Sequence, residues 1–453
     1  MIQKLLHIGH SGQQHERTLV VKKNILALIS IKGISVLNSL LLVPLSISYL
    51  NKEQYGVWLT IFSMLSWLGL LDIGLGNGLR NKFTECKARG NLHQLKVYVS
   101  TAYVLLSVIM LIVVLIFLIL RQWVNWQGVL NTNSVEEHEL SLTIMAVFVF
   151  FCSQLVVKLI STIFIADQKT FMSAAINTLS SILTLITVFA LKNTTHSSIL
   201  YMGVLVGAIN VLVPLAISIY YFRKEYSYCA PSLRYVDLKG SRSLMSLGLY
   251  FFLFQSSALI VVATDNIIIS RLFGPAEVTP YNVAIKYFAP LTIFFTLLSA
   301  PLWSAYTDAY EKQDIGWIRS ITSKMMKVWL LLLLLFVPMW LLSPFIYKIW
   351  IGDEIQVPYY LTFWVGVYTL LASWNQIFSN FINGISKVRL GFILSLITGL
   401  INIPLCLLLA DYFNMGTTGI IIASSLSLIP DLIFLPLQYR RIVSGTATGI
   451  WNR

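Results

Sequence analysis

Charge is what this sequence has least of. Asp, Glu, Lys and Arg together make up 11% of its 453 residues, while 57% are hydrophobic; a soluble globular domain carries about 25% charged residues. A water-soluble fold of this length cannot bury so many apolar side chains, so lipid has to be part of the solvent. Cysteine is scarce as well. Cys86, Cys152, Cys229 and Cys406 stand far apart in no metal or redox spacing, and they read as reduced thiols without a special role. Histidine is missing from every long apolar stretch. His7, His10 and His15 lie in a short tail without carboxylate or thiol partners, which argues against a metal site, and His93, His138 and His196 lie in loops.

Other absences narrow the function classes. The first 24 residues are polar and the first apolar stretch is too long for a signal h-region, so no cleavable signal peptide is expected and the N-terminus stays on the cytoplasmic side. No loop is long enough for a nucleotide-binding domain, a glycosyltransferase domain or a large catalytic segment. A membrane acyltransferase would need a histidine or carboxylate base at the interface, and only loop histidines are on offer. The glycine-rich run Gly69–Gly78 has no strand before it and no Gly-Lys-Ser/Thr after it, so it is not a nucleotide loop. No basic run is interleaved with aromatics, so nucleic acid is not an expected partner despite a net charge of +13. No cofactor is implied; a carrier driven by gradients is.

What the sequence does have is twelve apolar stretches, each long enough for a bilayer that needs about 17–25 helical residues. They fall at 25–50, 55–80, 98–120, 141–165, 171–191 and 197–222, then at 243–270, 281–304, 323–345, 358–383, 390–410 and 417–438. Backbone groups cannot stay unpaired in lipid, and the run Leu330–Phe336 does not alternate in polarity as a barrel strand would, so these are helices. With the N-terminus in the cytoplasm, 24 of the 32 Lys and Arg residues fall on that face and 5 on the other, with Lys32, Lys158 and Lys286 inside spans. That asymmetry places both termini in the cytoplasm. The expectation is an all-α polytopic membrane protein with 12 transmembrane helices.

The chain also looks duplicated. Asn91-Leu92 and Leu95-Lys96 recur as Asp314-Ile315 and Ile318-Arg319 at an offset of 223, Trp126 recurs as Trp350 at 224, and Ala166–Lys169 matches Gly384–Lys387 at 218. Six spans return the chain to the side it started from, so the halves are parallel repeats about an axis along the membrane normal. The expected divisions are a cytoplasmic tail at 1–24, whose first residues could form a short interfacial helix, a lobe at 25–222, a basic linker at 223–242, a second lobe at 243–438 and a tail at 439–453. The linker is either a plain loop or a contact for anionic lipid headgroups. Ten of the thirteen prolines follow residue 270, so the second lobe has more sites at which a helix can bend.

Charges inside spans cost roughly 2.5–3.5 kcal/mol on insertion scales and usually face protein or water. Lys32 and Lys286 lie close enough to a span end to snorkel, or they line a cavity. Lys158 is deeper, and Arg80 lies at the cytoplasmic end of its span. Asp72 and Asp265 have short stems and either line a cavity or pair with a lysine. The four glycines around Asp72 serve either close helix packing or a locally weakened helix beside the charge.

The stretch Tyr49–Trp58, followed by Leu71–Lys82, resembles the polysaccharide flippases, the Wzx-type O-antigen and capsule exporters of the multidrug/oligosaccharidyl-lipid/polysaccharide superfamily. Tyr347–Gly352 and Asn380–Lys387 fit the same pattern. The resemblance implies two six-helix lobes in a V around a central cavity. It implies a cargo of undecaprenyl-pyrophosphate-linked oligosaccharide, moved from the cytoplasmic to the outer leaflet of a bacterial inner membrane by alternating access. A polysaccharide polymerase and chain-length machinery are the protein partners it suggests, with membrane lipids around a monomer. A pyrophosphate is anionic and is best held by cations, so Lys32, Arg80, Lys158 and Lys286 are the candidate pyrophosphate and sugar contacts. Asp72 and Asp265 are the candidates for coupling to H+ or Na+, or for pairing with those cations in the empty state. A drug/cation antiporter of the same superfamily is the alternative, although three intramembrane lysines against two aspartates lean away from it. A polymerase or ligase would need a long outer loop, and a structural scaffold would not need charges on several spans.

Overall fold

The computed structural model describes residues 12–167, 169–237, 264–299, 302–385 and 387–452. Every regular element among them is helical: α1 (Gly12–Ser66), α2 (Gly69–Ala88), α3 (Leu92–Leu120), α4 (Trp126–Leu130), α5 (Glu137–Val157), α6 (Leu159–Ala166), α7 (Thr170–Thr194) and α8 (Ile199–Arg223) in the first half, then a helical stretch at 264–273, α9 (Val278–Ser299), α10 (Leu302–Glu311), α11 (Ile315–Ile351), α12 (Tyr359–Gly384), α13 (Arg389–Leu407), α14 (Gly416–Ser427) and α15 (Ile429–Val443) in the second. Nine helices among the described residues are long and apolar enough to cross a membrane. Helix α12 lies where a span is expected at 358–383, but its Asn375, Gln376, Asn380 and Asn383 make it more polar than the nine. Most of the stretch expected at 243–270 lies outside the described residues, as does the interfacial helix expected at the extreme N-terminus.

In the first two expected spans, two boundaries differ from expectation. Helix α1 already begins at Gly12, inside the predicted tail, because nothing between Gln13 and Lys23 breaks a helix. The span expected at 55–80 is split: α1 ends at Ser66 and α2 starts at Gly69, the first of the glycines that weaken this segment.

Along α1 the chain breaks at Asn51, which adopts a left-handed conformation with φ 67°. Its Oδ1 then accepts from the backbone N–H groups of Glu53 and Gln54, both at 3.0 Å, which starts the helix again. Residue 274, at an offset of 223, is the left-handed Gly274 with φ 88°. Asn91 accepts from Gln94 N at 3.0 Å to start α3, and Asp314 accepts from Trp317 N at 2.9 Å to start α11. Thr84 Oγ1 donates to the carbonyl of Ala166, and Thr307 Oγ1 to that of Gly384. The same local devices thus recur at the offsets found in the sequence. Trp126 and Trp350 differ: the first packs on Phe117, while the second donates to the Leu40 carbonyl at 2.8 Å.

The packing is that of a membrane protein. α5 packs on α8 and α1 on α7 in the first half, with α12 at the centre of the second against α9, α11 and α14. Large apolar side chains on the outside of α3 and α11, Leu111, Leu115, Ile119, Leu330 and Leu334 among them, are exposed. In water so long an apolar belt would be an aggregation surface; in a bilayer it is solvated. All four cysteines are free and buried.

The described part of the expected linker is not a free loop. Ser232 N donates to Ser100 Oγ and Asp237 N to Thr101 Oγ1, both at 3.0 Å, and Lys96 lies over the Tyr235 ring. The Tyr226 hydroxyl, fully buried, donates to Asp167 Oδ2 at 2.7 Å, and Lys87 and Lys169 bind the same carboxylate. Burial pulls the Asp167 carboxyl up, but the hydrogen bonds from Lys87 and Tyr226 and the charges of Lys87 and Lys169 outweigh it and hold it below the ordinary carboxylate value. A lowered folded-state value stabilises the fold above the unfolded carboxylate range, about 3.9, and that contribution is lost as pH falls through the folded value. Asp167→Ala is therefore expected to lower the melting temperature in detergent at pH 7. The buried Tyr226 hydroxyl left without its acceptor costs about 1–3 kcal/mol. The difference from the parent chain should shrink on acidification below about pH 4; an unchanged difference there would show that the carboxylate charge is not what binds the segment.

Candidate functional site

The two halves meet along α1 and α9. Asn282 and Lys286 are one turn apart on α9 and so share a face. Lys286, half-buried, donates to Ser39 Oγ of α1 at 3.2 Å. Asn282 donates to Asn266 Oδ1 at 2.7 Å, and Asn266 donates across the boundary to Ser63 Oγ at 2.7 Å. Nearby on α1, buried Asn38 donates to Ser181 Oγ of α7. A polar stripe therefore runs where the halves touch.

Its depth follows from the helix start. The helical turn Pro275–Glu277 precedes α9, so Lys286 lies eleven residues into the helix rather than five into a span starting at 281. At 1.5 Å per residue that is about 17 Å, close to the middle of a hydrocarbon core of about 30 Å. The reason is Pro275, whose fixed φ and missing N–H suit the first helical position. Snorkelling over that distance is beyond a lysine stem, which leaves the protein boundary as the place for this charge.

Asp265 lies elsewhere, inside the second half. It is 6% exposed. Its Oδ2 accepts from the Tyr281 hydroxyl at 2.6 Å and from Ser424 Oγ at 3.5 Å, and Ser424 also accepts from Asn402 Nδ2 at 3.1 Å. Oδ1 is buried with no hydrogen-bond partner among the described residues. No ion pair among those residues joins Asp265 to a lysine. A buried carboxylate with hydroxyls on one oxygen and no partner among the described residues on the other is suited to take up a proton or a small cation.

The remaining candidates lie on other elements. Lys32 on α1 and Arg80 on α2 are exposed, and Lys158, also exposed, sits at the break between α5 and α6. The structure does not bring these three into contact with Lys286. Asp72 lies in α2, but its side chain is outside the described residues. Reading charges alone missed the asparagines of the stripe, whose signal was present as amides inside apolar stretches. It also passed over Asp431, half-buried in the first turn of α15 after a break at Leu428, with no hydrogen-bond or ionic partner among the described residues.

Comparison with known proteins fits this architecture. A family model described as polysaccharide biosynthesis protein matches residues 21–302, and a second, described as MatE, matches 251–408. The chain is 23% identical over 419 residues to a Salmonella typhimurium protein named "Putative O-antigen transporter", covering 87% of this chain and 90% of that one. It is 23% identical over 354 residues to a Yersinia pseudotuberculosis protein named "Putative O-antigen export protein", covering 77% and 79%. Among solved structures, the inward-facing conformation of a multidrug resistance MATE family transporter of the MOP superfamily superposes with a TM-score of 0.78 at 15% identity, over 93% of this chain and 98% of that one. The outward-facing conformation gives 0.63 over 93% and 96%.

Proposed function

The chain belongs to the polysaccharide biosynthesis protein family, and from that premise we propose that it is a flippase for a lipid-linked oligosaccharide, carrying repeat units for O-antigen or capsule from the cytoplasmic to the outer leaflet of a bacterial inner membrane. It is a multi-pass membrane transporter of the MOP superfamily and not an enzyme. The observation that carries the cargo is Lys286: a cation near mid-depth on the face where the halves meet, with the Ser39 hydroxyl as its hydrogen-bond partner among the described residues. An ammonium there compensates an anion that sheds water on entering, such as the pyrophosphate of an undecaprenyl-linked glycan. A drug/cation antiporter would want carboxylates on that face.

In this reading the chain forms twelve spans in two parallel six-helix lobes, 25–222 and 243–438, arranged as a V around a central cavity. Both termini are cytoplasmic, as the basic loops favour. The local devices repeated 223 residues apart support the duplication. Transport proceeds by alternating access, with the lipid tail left in the bilayer. Lys32, Arg80 and Lys158 take the pyrophosphate and sugars along the way, and Asp265 with Asp72 couples turnover to H+ or Na+. The protein works as a monomer beside a polysaccharide polymerase and its chain-length partner.

Purified protein in proteoliposomes should move a fluorescent undecaprenyl-pyrophosphate oligosaccharide between leaflets, read as quenching by an outside reductant; no gain over empty liposomes would end this reading. In cells, Lys32→Ala with Lys158→Ala should abolish surface polysaccharide without removing the protein from the membrane. Normal polysaccharide in the double variant would take these two lysines out of the pathway.

A further inference from the structure

The hydrogen bonds that join the halves include Lys52 to Glu277, Thr279 to the Lys52 carbonyl, Asn131 to the carbonyls of Ser270 and Arg271, Ser270 to the Leu130 carbonyl, and Asn266 to Ser63. All of these lie between the middle of the helices and the end that carries Asn51 and Gly274, the outer end in the orientation proposed above. At that end one contact is not a hydrogen bond. A Cβ placed on Gly56 would lie 1.7 Å from the Pro275 carbonyl oxygen and 2.6 Å from its carbonyl carbon. The obstacle is backbone, which cannot swing aside as a side chain can.

The contact is reciprocal. Positions 52 and 275 correspond at the offset of 223, and so do 56 and 279. Gly56 meets Pro275, and Thr279, fully buried, donates through Oγ1 to the Lys52 carbonyl at 2.7 Å. The pairs 56–275 and 279–52 are the two halves of one contact about a local two-fold axis, the arrangement an isologous interface takes. Asn51 and Gly274, both left-handed, begin the two segments that meet there.

Resting on the flippase reading, we propose that this contact is the closed outer gate, and that the missing side chain at position 56 sets the balance between inward-open and outward-open states. The surrounding bonds are weak candidates for that control. Lys52 and Glu277 are more than a third exposed, and such pairs contribute little. Steric exclusion at Gly56 is different in kind. A side chain there meets the Pro275 backbone while the gate is shut, and that obstacle is withdrawn once the halves part at this end. The substitution therefore acts on one state and not the other, which is the condition for shifting a population.

The test uses the full chain in intact cells, with Lys286→Cys as a reporter in the polar stripe and a membrane-impermeant maleimide applied from outside. The four native cysteines are buried, and the parent chain gives their background. Outside labelling of the reporter should be slow with Gly56 present, rise at least tenfold with Gly56→Val, and rise less with Gly56→Ala. Unchanged outside labelling in a Gly56→Val protein that is inserted and monodisperse overturns the proposal. Should that variant not fold, Lys52→Cys with Glu277→Cys serves instead: a short thiol cross-linker should join the two and suppress outside labelling of the reporter, and failure to join them overturns the proposal. Neither readout depends on the cargo, so loss of the flippase reading in liposomes and loss of the gate in cells are separate results.

Discussion

Lys286→Ala is expected to lower surface polysaccharide at least tenfold while the protein remains inserted at its normal level. Among the described residues the ammonium is an intramembrane cation held at the boundary between halves, donating to Ser39 at 3.2 Å. A hydrogen bond to a charged group contributes about 1.5–3 kcal/mol, and each 1.4 kcal/mol is a factor of ten in binding. Losing one such bond to a pyrophosphate thus predicts a fall of about ten- to a hundredfold in apparent affinity. Folding should suffer little, because the Ser39 hydroxyl that loses its partner is only part-buried. Lys286→Arg should keep part of the activity, since it keeps the charge but changes its shape and reach. Glycan on the cell surface, scored by immunoblot against protein level in the membrane, gives the measurement. Full polysaccharide with alanine at 286 would remove the cationic stripe as the cargo site.

Asp265→Asn should abolish gradient-driven turnover, by a hundredfold or more in proteoliposomes, and leave a folded protein. Asparagine is close to isosteric and its carbonyl oxygen can still accept from Tyr281 and Ser424, so the packing of the second half survives. What it cannot do is cycle between a charged and a neutral state or hold a cation by charge. The bare Oδ1 is where that cycle would take place. Tyr281→Phe should act more mildly, removing one hydrogen bond and leaving the charge. The decisive comparison is transport with and without an imposed H+ or Na+ gradient: the parent chain should respond and the Asp265→Asn protein should not. If the variant responds like the parent, the carboxylate is structural and coupling lies elsewhere; Asp431 is then the next candidate.

The structure also changes which sequence features matter. Three of the proposed cargo cations, Lys32, Arg80 and Lys158, are exposed, whereas Lys286, which looked close enough to an interface to snorkel, bonds across the meeting of the halves. The difference came from a helix start moved to Pro275, a shift of six residues from the apolar boundary at 281. Hydropathy averages over a window and cannot see a proline that starts a helix early. Similarly, Asn51 gave no hydropathic signal, yet its left-handed backbone and side-chain cap divide the first helix and bring Gly56 to Pro275.

By itself the sequence determined the solvent and the helical class, and it predicted a basic face and a duplication, because each is a one-dimensional property. Apolar runs must be helices where no water can satisfy the backbone. Lys and Arg sort by side, and a repeat is read directly as an offset. Tertiary structure alone decided which polar groups meet. Asp265 could have faced a lysine or a hydroxyl, and only the packing of α9 and α14 around it selected Tyr281 and Ser424. Gly56 could have been one more small residue in a membrane helix, and only the approach of Pro275, 219 positions further along the chain, made its lack of a side chain a condition for closure. Contacts of that kind depend on where two helices cross, and no local pattern in the chain encodes the crossing.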